Sequence, residues 1–469
     1  MAGADIGLIG LGTMGRNLAL NLTDHGFAVA GWDRSADAVA KAVAADGRIT
    51  GTADPKGLVA ALRSPRVVFL MVPAGKPVDE QLETLSPLLQ PGDVVIDGGN
   101  SHYTDTQARA AAMAARGLHF VGLGVSGGEE GARHGPSLMA GGTEAAWDRI
   151  APMLTAIAAK AGPKGDEPCA GRVGPDAAGH FVKMVHNGIE YAEMQILAEA
   201  YDLMRHVGGL GLPAMADIFD RWSDSPLGAY LVEITAEVLR ETDAETGKPV
   251  VDIILDRAGQ KGTGGWTDIA AIELGVPVPT LFAAVAARVL SGLKAERVAA
   301  EAAFGPVAAG TAAAADLVGD LAQGVMAARI CNYAQGFALM AAGSAEYGWN
   351  MRLDAVARLW RGGCIIRARI LEDVTEAFEA DPTLPNLLLA PGLRDTIRGA
   401  DAALRRLVAL SATTGVPAPG LAATLGYLDG YRRARSPANL IQAERDYFGA
   451  HGFERIDRPG QFHQPWRRG

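Results

Sequence analysis

The sequence predicts a doubly wound α/β domain over residues 1–177, a large all-helical domain over residues 178–435, and a C-terminal arm over residues 436–469. Three observations carry that reading. Short β-rich runs alternate with helical patterns as far as about residue 175. A Gly- and Pro-rich stretch, AGPKGDEPCAGRVGPDAAG, then breaks the rhythm. Beyond it Ala-rich helical periodicity takes over, with hardly a strand-like run. Alternating strands and helices build right-handed βαβ units and hence a parallel sheet, whereas an unbroken helical texture must form a separate layer or domain.

In chain order, IGLIG reads as a strand, followed by a helix to His25, the strand FAVAGW, a helix through the 40s, the strand RVVFLMV, a helix through Leu89 and the strand DVVIDGG. HFVGLGVSGG and SLMAGG read as two further strands, and Ala145 to Ala158 as the helix after them. In the second half the helical pattern is clearest from Ala312 to Ala345. The last segment opens with SPANLIQAERDYFGAH and closes with RPGQFHQPWRRG. Its apolar content is too low for independent folding, so it is expected to be either a frayed tail or an arm docked on another surface.

The bulk numbers narrow the function classes. At 469 residues, two or three domains are expected. Hydrophobic residues at 49% and charged residues at 20% are ordinary for a globular chain. A net charge of −10 argues against a phosphate-backbone binder, because nucleic-acid proteins present basic faces. Cys169, Cys331 and Cys364 are widely spaced and form no metal-ligand pattern, so a reducing compartment and no structural zinc are expected. The first residues lack a basic, apolar leader, and no apolar run approaches the ~20 residues that span a bilayer. A cytoplasmic protein without nucleic-acid or membrane partners is the expectation.

Gly10, Gly12 and Gly15 form G-x-G-x-x-G directly after the first strand, with Thr13 and Met14 opening the helix. Such glycines permit a tight turn and close approach of a pyrophosphate to the free N–H groups of a helix N-terminus. The second strand ends in Asp33, followed by Arg34 and Ser35, where a ribose-reading residue belongs. Dinucleotide binding follows from the three features together. MVPAGKP, which contains Val72, Ala74 and Lys76, and DGGNS, which contains Asn100, lie at the carboxyl edge of the sheet, where ligands of open α/β folds bind. Ser126, Gly127 and Gly128 offer a hydroxyl and free N–H groups suited to a carboxylate or to hydroxyls.

KMVHNGIEYAEMQ places Lys183, His186, Asn187, Glu190 and Tyr191 on one helical face, at offsets of 0, 3, 4, 7 and 8. The rest of the circumference is largely apolar, so the helix should be buried with its polar stripe lining a cleft. There Lys183 can exchange a proton with a substrate hydroxyl if burial lowers its pKa, and Glu190 can be the complementary acid. An internal Lys183–Glu190 salt bridge is the alternative. GQKGTGGWTDIA carries Lys261 and Thr263 in a glycine-rich turn before a helix; Arg288 and Arg445 could converge there on a phosphate.

Together GLIGLGTMGRNLALNL, VIDGGNSHYTDT, GVSGGEEGARHGPSLMAGG, KMVHNGIEYAEMQ, GQKGTGGWT and QAERDYFGAH resemble the long-chain 6-phosphogluconate dehydrogenase family, in its order and spacing from end to end of the chain. The resemblance implies a Rossmann-type domain, a helical domain forming a homodimer, and an arm passing through the partner subunit. It implies oxidative decarboxylation of 6-phospho-D-gluconate to D-ribulose 5-phosphate in the oxidative pentose phosphate pathway. Lys183 would be general base and then acid, and Glu190 the acid that protonates C1. Asn100, Ser126, Gly127, Gly128, His186 and Asn187 would hold the sugar-acid end. Tyr191, Lys261, Thr263 and Arg288 would hold the phosphate, with Arg445 and His451 arriving from the neighbouring chain. The cofactor would be NADP first, with NAD also expected because Asp33 stands where the family often has Asn; no metal is implied. Gly265 likewise stands where Lys is common.

Overall fold

A computed structural model describes residues 3–305 and 312–466. The first half is built from β1 (Ile6–Ile9), α1 (Thr13–Asp24), β2 (Val29–Trp32), α2 (Ala36–Ala45), β3 (Ile49–Gly51), α3 (Pro55–Ala61), β4 (Val67–Leu70), α4 (Lys76–Leu85), β5 (Val94–Asp97) and α5 (Tyr103–Ala114). It continues with β6 (His119–Ser126), α6 (Gly128–His134), β7 (Ser137–Ala140) and α7 (Glu144–Ile157). β8 (Lys160–Ala161) and β9 (Glu167–Pro168) form a small antiparallel ladder before β10 (Ala170–Arg172).

The eight-stranded sheet runs β10-β7-β6-β5-β4-β1-β2-β3, parallel from β3 to β6, with β7 antiparallel to β6 and β10 parallel to β7. Strand order reverses between β1 and β4, which opens a crevice at their carboxyl ends. Period-two alternation divides β4 between two cores: Val67 and Phe69 join Leu18 and Leu22 of α1, whereas Val68 and Leu70 join Leu58, Val78 and Leu82 of α3 and α4. Both faces are covered, which is why VVFL and the first three residues of VVID are continuously apolar, and why both strands are continuously buried.

Several elements go beyond the expected list, among them α5, α6 and the β8–β9 ladder. β3 and α3 occupy the space between the helix of the 40s and RVVFLMV. The Gly- and Pro-rich stretch supplies β10, which completes the sheet by pairing Ala170–Arg172 with Leu138–Ala140. A three-residue strand with glycine at its centre has no periodicity to announce it; the open edge of β7 selects it.

α8 (Ala178–His206) is the next element after this strand, and its first turn lies on bare sheet backbone. A Cβ on Gly179 would stand 2.2 Å from the Gly122 carbonyl oxygen and 2.4 Å from that of Met139. One on Gly124 would stand 2.6 Å from Cβ of Lys183. The missing side chains are what let the helix lie this close. α9 (Leu212–Ser223), α10 (Tyr230–Arg240), α11 (Val250–Ile253), α12 (Thr263–Glu273), α13 (Pro279–Gly292) and α14 (Lys294–Phe304) follow. Then come α15 (Ala314–Glu346), α16 (Leu353–Leu359), α17 (Ile370–Ala380), α18 (Pro391–Thr414) and α19 (Pro419–Tyr431). α15 also packs on α8 through glycine, since a Cβ on Gly336 would meet Ile189 at 2.5 Å. The stretch from Ala312 to Ala345, where the helical pattern is clearest, falls on this helix, which runs from Ala314 to Glu346.

The chain divides into two compact units, residues 1–424 and 425–469. The second holds α20 (Ala438–Gly449) and a two-stranded ladder of β11 (Phe453–Glu454) and β12 (Gln461–Phe462). The segment is internally ordered beyond what its low apolar content announces. Its organising centre is polar: fully buried Asp446 accepts hydrogen bonds from the N–H groups of Gly452 (2.9 Å) and Gln464 (3.0 Å) and from the Trp466 indole (2.8 Å). His463 Nδ1 lies 2.8 Å from the same carboxylate. An apolar tally cannot register a unit tied together by one carboxylate.

Candidate active site

At the crevice between β1 and β4 the three glycines divide their tasks. Gly10 takes a φ of +93°, and a Cβ there would stand 2.4 Å from the Met71 carbonyl oxygen. Gly15 is pressed on the Gly10 carbonyl, 1.8 Å from where its Cβ would be. Gly12 faces open space, with nothing within 4 Å. One glycine turns the chain, one packs the helix, and the third leaves room for a pyrophosphate at the N-terminus of α1, where Thr13 and Met14 stand. A cleft of about 360 Å³ beside them is lined by Gly10, Gly12, Asp33, Arg34 and Val72, among others. Ala74 precedes Gly75, the N-cap of α4, on the same rim. These residues fit a dinucleotide.

Asp33 has a task the sequence did not show. Its Oδ2 accepts from the Leu11 N–H at 2.7 Å, inside the glycine loop, and its Oδ1 from the Ser35 N–H at 2.8 Å. The Ser35 side chain caps α2. A carboxylate has about four lone-pair sites, so ribose hydroxyls can still be accepted. The exposed Arg34 guanidinium pairs with Glu80 at 3.3 Å.

The stripe on α8 is buried as its apolar surroundings require. Lys183 and Asn187 are each 7% exposed and His186 is fully buried. Ser126, at the end of β6, places its Oγ 3.1 Å from His186 Nε2 and so ties sheet to helix. His186 Nδ1 lies 3.4 Å from Lys183 Nζ, 3.2 Å from Asn187 Oδ1 and 3.8 Å from Glu190 Oε2. The ring therefore sits between amine and carboxylate, where the alternative of a direct salt bridge would need them joined.

Burial lowers the pKa of Lys183, opposed by the charge of Glu190. Burial raises that of Glu190, opposed by Lys183 and Arg288. It holds His186 well below the usual imidazole range, helped by the cation of Lys183. All three shifts favour neutral forms: a free amine that can take a proton, a carboxylic acid that can give one, and a neutral imidazole between them.

Toward the other end, the Arg288 guanidinium lies 3.7 Å from the centre of the Tyr191 ring. α12 approaches through Gly264, whose Cβ would stand 2.7 Å from that ring, and so brings buried Thr263 alongside. Lys261 is exposed in the turn before α12, whose N-cap, Gly262, has a φ of +91°. Arg445 and His451 lie exposed in the second unit, and Asn100 is exposed in the loop after β5. Gly127, with a φ of +120°, closes on the Gly363 carbonyl oxygen, 2.5 Å from where its Cβ would be.

Sequence reasoning missed two supports of this region. Gly363 is one; the ring of Trp360, 5.5 Å from that of His186, is the other. Their available signal was WRGGC, a glycine pair inside a helical stretch. Among the described residues, no group of three or more His, Cys, Asp or Glu side chains could hold a metal ion, and no helix is long and apolar enough to cross a membrane.

Fold and crevice define a dinucleotide-binding protein with a Rossmann-type sheet. Residues 5–170 match the family described as the NAD binding domain of 6-phosphogluconate dehydrogenase, and residues 179–466 match the family described as its C-terminal domain. The chain belongs to the 6-phosphogluconate dehydrogenase family. It is 49% identical to a decarboxylating 6-phosphogluconate dehydrogenase of Synechococcus elongatus, over 99% of this chain and 100% of that one. It is 47% identical to an NAD(+)-dependent, decarboxylating relative of Bacillus subtilis, over 98% of this chain and 99% of that one. The solved Plasmodium falciparum 6-phosphogluconate dehydrogenase, studied with NADP+ and with 6-phosphogluconate, superposes with a TM-score of 0.95 at 37% identity, over 98% of this chain and 100% of that one.

Proposed function

We propose that this chain converts 6-phospho-D-gluconate to D-ribulose 5-phosphate and CO2 with reduction of NADP or NAD, and that Lys183 and Glu190 handle the protons. The observation that carries the assignment of roles is the buried α8 stripe, where amine and carboxyl are both shifted toward neutrality around His186.

A bound nicotinamide dinucleotide supplies the acceptor for the hydride that leaves C3. Gly10, Gly12, Thr13, Met14 and Gly15 would hold its pyrophosphate, Asp33, Arg34 and Ser35 its adenosine ribose, and Val72, Ala74 and Asn100 the remaining rim. Lys183, as free amine, takes the proton of the C3 hydroxyl while C3 becomes a carbonyl. That ketone is β to the carboxylate, so the C1–C2 bond can break, its electron pair moving between C2 and C3 and onto the C3 oxygen. Lys183 returns its proton to that oxygen. Glu190 then protonates the carbon that becomes C1 of the product, and the enediol proton passes back to Lys183.

Ser126, Gly127, Gly128, Asn100, His186 and Asn187 would orient the carboxylate and hydroxyls. Tyr191, Lys261, Thr263 and Arg288 would hold the phosphate. Arg445 and His451 would complete that end from the partner subunit of a homodimer, a reading supported by their exposure on a unit with its own scaffold.

The direct test follows reduced nicotinamide and released CO2 with 6-phosphogluconate and each cofactor. Equal amounts are expected; reduction without CO2 would overturn the reaction. For the shared site, inactive Lys183→Met and Arg445→Ala chains are mixed under conditions of subunit exchange. Regained activity supports sharing, and none despite exchange shown by mass spectrometry refutes it.

A further inference from the structure

The loop after β4, which carries Val72 and Ala74, and the loop after β5, which carries Asn100, are separate segments joined by one buried side chain. Arg109 of α5 is 7% exposed. Its Nε donates to Asp79 Oδ1 at 2.7 Å and its Nη2 to the Gly75 carbonyl at 3.1 Å, both on the β4–α4 side. Its Nη1 faces Asp97 Oδ2 at 3.8 Å, on the β5 side, and makes no hydrogen bond. Asp105 stands 4.0 Å from Nη2, so one guanidinium balances three carboxylates.

Asp97 in turn shapes the Asn100 loop. Fully buried, it accepts from the Gly99 N–H at 3.0 Å and the Ser101 hydroxyl at 2.6 Å. The loop is pressed on its neighbour: a Cβ on Gly99 would stand 2.9 Å from the Val72 carbonyl oxygen. The Asp97 carbonyl also meets Nε2 of buried His180 at 3.1 Å, and the other ring nitrogen of His180 meets Thr106 at 2.7 Å. His180 lies one turn before Lys183 on α8. The chain of contacts runs from the dinucleotide rim, through Arg109 and Asp97, to the helix that carries the stripe.

We infer that Arg109 is a positioning residue that clamps the Val72–Gly75 loop to the Asn100 loop, so that cofactor and sugar acid are held in one register. The inference rests on the proposed function for the identity of the second ligand only. Lysine cannot replace the fork, because an ammonium cannot serve Gly75, Asp79 and Asp97 with a fixed planar geometry.

The test uses the full chain with Arg109→Met and Arg109→Lys. NADPH binding is read by fluorescence titration, KM and kcat from initial rates, and Tm in parallel. Arg109→Met should weaken NADPH binding and raise KM for 6-phosphogluconate about tenfold each, with Arg109→Lys between it and the wild type, while the shape of the kcat–pH profile stays unchanged. Loss of Tm with NADPH affinity and both KM values within twofold of wild type would reduce Arg109 to a structural support and overturn the inference. Should Arg109→Met fail to fold, Arg109→Lys and the solvent-side Asp79→Asn carry the same comparison. NADPH titration needs no turnover, so a wild type that left 6-phosphogluconate untouched would sink the proposed function and leave this test standing.

Discussion

Lys183 and Arg34 are basic side chains in two regions of the molecule, and they differ in almost every physical respect. Lys183 is 7% exposed and set among His186, Asn187 and Glu190; the Arg34 side chain is 66% exposed and pairs with Glu80. The contrast separates two kinds of work. Proton transfer by a lysine needs a pKa moved well below its ordinary value, which burial on α8 supplies. Discrimination between cofactors that differ by one phosphate needs only a change of net charge, which a mobile surface can supply through screened interactions. Large, salt-insensitive effects belong on α8, then, and small, salt-sensitive ones at the end of β2.

The largest expected effect is at Lys183. Lys183→Met should lower kcat by about 100-fold or more while leaving 6-phosphogluconate binding largely intact. Normal turnover by this variant would collapse the contrast. The same substitution has a stability consequence of opposite sign. A lysine with a lowered folded pKa binds fewer protons folded than unfolded in the window between that pKa and about 10.5. Its contribution to stability is thus fullest at high pH and is lost as pH falls through the window. At neutral pH Lys183→Met should therefore have a higher Tm than the wild type without ligands, and the gap should narrow toward pH 10. An inactive variant that is also less stable at pH 7 would show that burial of the amine carries no such cost.

Glu190→Gln should come next, slowing release of correctly protonated product more than hydride transfer. Single-turnover traces separate the two steps, and the reverse order would count against the roles given.

At the other site, Asp33→Asn should shift the NADP-to-NAD ratio of kcat/KM toward NADP by about an order of magnitude, about 1.4 kcal/mol. Part of that gain should be offset by lower kcat/KM with both cofactors, because an amide has one acceptor oxygen for the two N–H groups of Leu11 and Ser35. An unchanged ratio would mean that the carboxylate serves the glycine loop alone. The smallest effect is expected from Glu80→Gln. Releasing Arg34 should favour NADP by about twofold to fivefold at low salt and vanish at high salt, since exposed pairs are worth about 1 kcal/mol or less. A salt-independent shift would instead place Arg34 in a dry environment.

The two regions also differ in how legible they were. The stripe and the glycine loop follow local rules, a 3.6-residue period and a strand–turn–helix context, so a reader of the chain alone can place Lys183, Glu190 and Gly10. What stayed hidden depends on partners distant in sequence. Arg109 looks like any helical arginine until Gly75, Asp79 and Asp97 surround it. Ala170–Arg172 becomes a strand only because β7 offers an edge. Gly363 matters because of Gly127, more than two hundred residues earlier. Asp446, in a segment of low apolar content, gathers Gly452, Gln464 and Trp466 around one carboxylate.

The close seating of α8 on the sheet bears on how such chains can be recombined. Gly122 and Gly124 come from one side of the expected domain boundary and Gly179 from the other, yet each leaves free the space that the opposite side fills. A chimera joining residues 1–177 of one relative to the remainder of another inherits this contact as a matched set or not at all. If the donor of the sheet brought alanine at 122 or 124, its methyl group would fall on His180 or on Lys183 itself. Crossover after α8 keeps helix and sheet from one parent, and that junction, rather than the glycine- and proline-rich stretch that looks like a linker, is the place to cut.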